Sequence, residues 1–256
     1  MRTSPHATRA PRAAKSSVAA DSATSGGTLD DERADEHQAA TLTKSVYEQL
    51  RTDVLNGKLR PGEKLGAVAL RKRFNTGSSP VREALNRLLS EGFVALEEQK
   101  GFRVAPVSQK ELSELLTARC WIDGAALRGS VARFDVGWEE NLVLALHRLS
   151  KTARGKRGKA ENSVWENHHK KFHLALVGGC GTHWIVKISE QLFDAAERYR
   201  LLGADHVPER NELEEHRAIV NACLERNADA AVELLKIHYG RTYDVIVNSL
   251  LPAKTK

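Results

Sequence analysis

The amino-acid sequence predicts a mainly α protein, in which a short module of three helices and a β-hairpin is followed by a helical bundle. Three observations carry this. Apolar residues recur at three- and four-residue spacing in nearly every segment after Thr43. The one switch to extended structure falls between Phe93 and Ala105. A capping signature at Ser108 then restarts the helical period, and no strand signal follows it.

The bulk numbers set limits. A chain of 256 residues can form two compact domains, each with its own core. No apolar run approaches the roughly 18 residues needed to span a bilayer, so no membrane role is expected. Lys and Arg outnumber Asp and Glu by 39 to 33, an excess of +6 that suits a polyanionic partner. Cys120, Cys180 and Cys223 are scattered, odd in number and form no CxxC pair, which argues against a disulfide framework or thiolate zinc site and for a reducing cytoplasm. Residues 1–40 are rich in Ala, Ser, Thr, Arg and Asp and lack aliphatic periodicity and a secretory apolar stretch, so a disordered tail is expected there.

Residues 41–106 form the first predicted domain. Val46, Leu50 and Val54 repeat every four residues, and Gly57 and Pro61-Gly62 end that helix. A second helix spans about Ala67 to Phe74, with Arg71, Lys72 and Arg73 outward. After the polar turn Asn75-Thr76-Gly77-Ser78, Ser79 supplies an N-cap hydroxyl and Pro80 a proline at the first helical position. The third helix buries Val81, Ala84, Leu85, Leu88 and Leu89 and leaves Arg82, Asn86 and Arg87 open. Phe93–Leu96 and Phe102–Ala105 then read as a hairpin. This is the winged helix-turn-helix order, whose third helix offers its first turns to the major groove. Arg82 is the leading base or phosphate contact, with Ser78 and Ser79 beside it and Lys100 at the wing tip.

The stretches Val46-Tyr47-Glu48-Gln49-Leu50-Arg51, Gly57 to Leu65, and Pro80-Val81-Arg82-Glu83-Ala84-Leu85 resemble the GntR-family winged helix. The resemblance implies DNA contacts from Arg82 and from the wing glycine, Gly101. It also marks a departure: the family usually has Ser-Arg-Thr-Pro where this chain has Gly77-Ser78-Ser79-Pro80, so one DNA-contacting arginine is missing.

Residues 107–256 form the second predicted domain, with helices from Ser108 onward and at about 138–151, 161–177, 183–202, 209–226 and 228–249. Arg119-Cys120-Trp121-Ile122-Asp123, Phe172-His173-Leu174-Ala175-Leu176 and Glu215-His216-Arg217-Ala218-Ile219 resemble the FCD-type ligand-binding domain of the FadR branch. Cys180-Gly181-Thr182-His183 and Ala196-Glu197-Arg198-Tyr199-Arg200 look most like the carbon-starvation-induced regulators of that branch.

His169 and His173 are four residues apart and share a helix face. Arg226-Asn227-Ala228 reads as a tight turn, with His216 and His238 equally far before and after Asn227. In an antiparallel hairpin both imidazoles then stand at one height, about 16 Å from the turn at ~1.5 Å per residue. Four neutral imidazoles suit zinc or nickel. The resemblance implies one aspartate and three histidines as metal ligands, with His169 at the aspartate position. Losing that charge disfavours hard cations. Arg119 falls where the resemblance implies an effector contact, a fork suited to a carboxylate; its plain alternative is an ion pair with Asp123. The basic stretch Lys151 to Lys159 reads as a loop without assigned function, and Trp121, Trp138, Trp165 and Trp184 as core residues.

The expected function is a homodimeric repressor that reads a palindromic double-stranded operator and responds to a small carboxylate near a metal. Two other classes stand beside it: a helical metal-dependent hydrolase or lyase using the histidines with Glu166 or Glu215, and an architectural DNA-binding protein that needs no pocket.

Overall fold

A computed structural model describes residues 27–155, 160–203 and 210–250. Of the expected disordered tail, residues 1–26 lie outside the described residues, as do residues 156–159 of the basic loop. The chain is already helical at Gly27, because α1 spans Gly27–Leu55. It begins well before the aliphatic repeat at Val46.

The remaining elements of the first module follow as α2 (Ala67–Phe74), α3 (Ser78–Ser90), β1 (Val94–Glu97) and β2 (Gly101–Val104). Their core gathers Val46, Leu50 and Val54 of α1 with Val81, Ala84, Leu85 and Leu88 of α3, closed by Phe93 and Val104. Those are the residues that helical spacing places on inner faces. Asp53 is fully buried on α1 and takes hydrogen bonds from Arg73 and, at 3.1 Å, from Gln49. The hairpin pairs Val94 with Val104 and Glu97 with Gly101. Gly101 has φ +83, and a side chain there would strain the backbone whatever the free space.

One local expectation is corrected. The third helix starts at Ser78, with Gly77 in extended conformation at the N-cap position and no side-chain cap. Ser79 therefore lies inside the first turn, and its hydroxyl turns to Glu83 at 3.4 Å.

The bundle consists of α4 (Gln109–Arg133), α5 (Val136–Ser150), α6 (Ala160–Val177), α7 (His183–Leu202), α8 (Glu212–Leu224) and α9 (Ala228–Leu250). Helix α4 packs against α9, α7 and α6, while α8 and α9 pack as a hairpin. Arg226 adopts φ 57 at that hairpin's turn, and Asn227 caps α9 by accepting from the Ala230 N–H at 3.0 Å. Leu127, Leu142, Phe172, Leu176, Ile219 and Leu235 fill the core. Trp138 and Trp165 are buried as expected, but Trp121 and Trp184 are 74% and 70% exposed. Helical spacing alone assigns no burial to a side chain outside the main apolar stripe, and these two fall there.

The cap of α4 departs from its expected form. The Glu111 N–H donates to Ser108 Oγ at 3.1 Å. The reciprocal half is taken by Tyr199 of α7, whose hydroxyl accepts from the Ser108 N–H at 3.3 Å and donates to Glu111 Oε2 at 2.5 Å. The neighbouring Arg198 donates to the Ala105 carbonyl, and Arg51 of α1 meets Asp194 of α7 at 2.8 Å. The last turns of α7 thus tie the bundle to the end of the wing and to α1.

Candidate ligand site and DNA-reading face

His169 and His173 of α6, His216 of α8 and His238 of α9 come together in the bundle interior, each no more than 5% exposed. One ring nitrogen from each lies within 4.8 Å of the other three. The Nε2 atoms of His169 and His173 are 3.1 Å apart, and the rings of His216 and His238 are centred 4.6 Å apart. The sequence brings them here in two ways: an i, i+4 pair on α6, and a symmetric pair across the α8–α9 turn. His168 faces elsewhere, bonding Thr152 Oγ1 at 2.8 Å, and His183 is exposed.

The cluster suits a metal. Burial, reinforced by the other imidazoles and nearby guanidiniums, holds His169, His173 and His216 well below the ordinary imidazole value of 6.5. Burial also lowers His238, although Glu215 opposes it. Neutral imidazole is the form that ligates. Nδ1 of His169, Nδ1 of His173 and Nε2 of His216 are buried without hydrogen-bond partners, a costly state that a cation would relieve. A tetrahedral zinc needs donor atoms about 3.4 Å apart, given bonds near 2.0–2.1 Å, so the imidazoles must shift by up to about 1 Å to close the shell.

Supporting groups surround it. Glu215 accepts from His238 Nδ1 at 2.8 Å and from Arg241 Nη1 at 2.9 Å, and it also pairs with Arg210. Burial alone would raise the Glu215 carboxyl, but these donors hold it well below the usual carboxylate range. Glu166 and Glu197 flank His169, yet both face the buried Arg200, with Glu197 Oε2 2.7 Å from Arg200 Nε. Neither Glu166 nor Glu215 is thus free to act as a general base. Sequence reasoning missed the buried Arg200 and the half-buried Arg210; a covered arginine carries no spacing signal distinguishing it from a surface one.

A cavity of about 40 Å³ lies beside the histidines, lined by Arg119, His169, His173, His238, Phe193 and Tyr239 among others. It has room for about three waters. Arg119 is buried with Nε 3.3 Å from Asp123 Oδ2, and its guanidinium lies over the Tyr239 ring at 3.9 Å. Asp123 also accepts from Tyr239 at 2.8 Å and from Ser189 at 2.5 Å. The ion pair anticipated as the alternative is therefore present, and Arg119 lines the cavity as well.

On the DNA module, Arg82, Ser78, Ser79 and Lys100 are all exposed, and Gly101 opens β2 directly after Lys100. The neighbouring Glu83 accepts from Thr43 at 3.2 Å and from Ser79. Among the described residues no carboxylate pairs with Arg82. Its charge stands free on the open face of α3.

Residues 42–104 match the family described as bacterial regulatory proteins, gntR family, and residues 114–241 match the FCD domain. The HTH-type transcriptional repressor GlaR of Escherichia coli (strain K12) is 33% identical over 199 residues, covering 75% of this chain and 90% of GlaR. BphR of Paraburkholderia xenovorans (strain LB400), an uncharacterized HTH-type transcriptional regulator, is 34% identical over 209 residues, covering 80% of this chain and 85% of BphR. The fold is shared with E. coli McbR/YncC, at a TM-score of 0.65 and 20% identity over 81% of this chain and 97% of that one. No described helix is long and apolar enough to cross a membrane. With a winged helix-turn-helix joined to an all-helical FCD bundle, the chain belongs to the GntR family of DNA-binding bacterial transcription regulators, not to an enzyme family.

Proposed function

We propose that this regulator is a homodimeric repressor whose grip on a palindromic operator is set by a small carboxylate bound beside a zinc or nickel ion. The observation that carries the proposal is the convergence of four buried imidazoles, three of them with an unpartnered nitrogen, next to a cavity that a buried arginine also lines. In this reading residues 41–106 read DNA and residues 107–256 sense the ligand. His169, His173, His216 and His238 would hold the metal, which supplies a positive centre for a carboxylate oxygen. Arg119 would take the carboxylate on its other side, giving up part of its bond to Asp123. The cavity favours an acid of only a few heavy atoms.

At the other end, Arg82 reads the groove from α3, Ser78 and Ser79 donate at its first turn, and Lys100 and Gly101 bring the wing to the neighbouring backbone. A coupling of about 1–3 kcal/mol between the sites makes a useful switch. The test is metal analysis of the purified protein, then thermal shift with a panel of small mono- and dicarboxylic acids with and without zinc. A bound acid must stabilise the fold by mass action. Metal that binds and an acid that shifts the melting temperature only when metal is present are expected. A panel that shifts nothing refutes the sensor, and a mobility shift for Arg82→Ala equal to wild type refutes the DNA assignment.

A further inference from the structure

The cations of the DNA module divide into two groups. Lys44, Arg51, Lys58, Arg73, Arg87 and Arg103 each lie within 4.0 Å of a carboxylate. Arg60, Lys64, Arg71, Lys72, Arg82 and Lys100 have no such partner among the described residues. The first group is spent within the chain: Arg73 neutralises the buried Asp53, and Arg51 pairs with Asp194 of α7. The second group is left for an anion outside the chain.

Arg71 is distinct within that second group. It is exposed on α2, yet its Nη1 donates to Ser78 Oγ at 3.1 Å, so its guanidinium is fixed at the first residue of α3. Arg71 and Lys72 line an open depression with Val68, Asn75, Thr76 and Gly77, the turn that joins α2 to α3. In a helix-turn-helix the first helix crosses the sugar–phosphate backbone while the second enters the groove. A guanidinium presented by the first and braced on the start of the second lies where a phosphate passes. Its fork geometry suits phosphate oxygens, and the bond to Ser78 removes part of the entropy cost of ordering it.

We propose that Arg71, with Lys72 beside it, is a further DNA contact, clamping a backbone phosphate at the mouth of the groove that α3 enters. The assignment rests on reading α3 as the DNA-reading helix. The probe is a duplex selected from a randomised pool by the wild-type protein, with affinity measured by fluorescence anisotropy across a salt series. Lys236→Ala, the same charge loss on distant α9, sets the baseline.

Arg71→Ala is expected to weaken binding about tenfold beyond that baseline, to lower the steepness of the log–log salt dependence by about one, and to leave base preferences unchanged. Melting temperatures equal to wild type verify the exposed-site variants. Normal affinity and slope for Arg71→Ala, with binding lost in Arg82→Ala, overturns this inference and leaves the α3 reading intact. Normal binding by Arg82→Ala brings down the α3 reading itself. A changed preference at one base position overturns the phosphate assignment.

Discussion

Arg198→Met tests the seam between the two halves of the chain. Arg198 is buried at 3% exposure, and Nη2 donates to the Ala105 carbonyl and reaches the Pro106 carbonyl at 3.5 Å. Methionine keeps much of the stem volume but supplies no donor. Ala105 is itself only 8% exposed, so its carbonyl loses its partner without gaining water. Leaving a buried acceptor unsatisfied costs about 1–3 kcal/mol. The flanking contacts from Tyr199 remain, so the loss should appear as easier local opening of the segment from the wing to α4 rather than as global unfolding. In native-state hydrogen exchange, peptides covering residues 91–112 should exchange about 5–150-fold faster, the kinetic equivalent of that range. Peptides from α6 serve as the control. Unchanged exchange over residues 91–112 in a folded variant refutes the idea that this arginine fastens the linker.

Glu215→Gln should weaken zinc binding by about 10–100-fold, as expected when a group that orients a ligating imidazole is altered, because Glu215 fixes Nδ1 of His238; competition against a chromogenic chelator measures it, and unchanged affinity contradicts it. Gly179→Ala places a Cβ 2.7 Å from Cγ of the buried Trp138. Overpacking of this kind costs about 1–3 kcal/mol, so the melting temperature should drop by several degrees; no drop means the indole moves freely. The metal-free protein should be acid-labile. His169, His173 and His216 sit well below 6.5 in the folded chain, so the unfolded chain binds more protons below that pH. Stability is then complete above 6.5 and falls as pH drops below it, by up to about 1.4 kcal/mol per histidine at pH 5.5. Urea unfolding in the presence of a chelator should show the H169N/H173N/H216N variant losing less between pH 7.5 and 5.5 than wild type; equal losses refute the reading.

Much of this structure is written in local pattern. The inner faces of α1 and α3, the hairpin, and the span of α7 follow from the apolar period and its interruptions. The meeting of the four histidines was legible because both pairs are set by geometry internal to a helix or a helical hairpin. What the sequence hides are contacts made across the fold. Nothing near Ser108 announces that Tyr199, far along the chain, will take over half of its cap. Nothing marks Arg200 as buried or Arg210 as half-buried, since whether an arginine is covered depends on the helix packed over it. Helix α3 begins two residues before the position that Ser79-Pro80 suggests, because a proline fits more than one place in a first turn. The exposure of Trp121 and Trp184 was hidden for the same reason as the buried arginines.

One contact in the bundle has a practical use. Trp165 stacks on His169 with ring centres 4.7 Å apart and planes within 17°, and the guanidiniums of Arg154 and Arg200 lie over it at 4.8 and 5.1 Å. An indole so placed is a natural optical gauge. Any ion that takes a nitrogen of His169, or any acid that draws Arg200 aside, changes the polar surroundings of that ring and so the colour and strength of its ultraviolet emission. With the other three tryptophans replaced, the protein would report the filling of its own site in solution, in real time, with no dye attached.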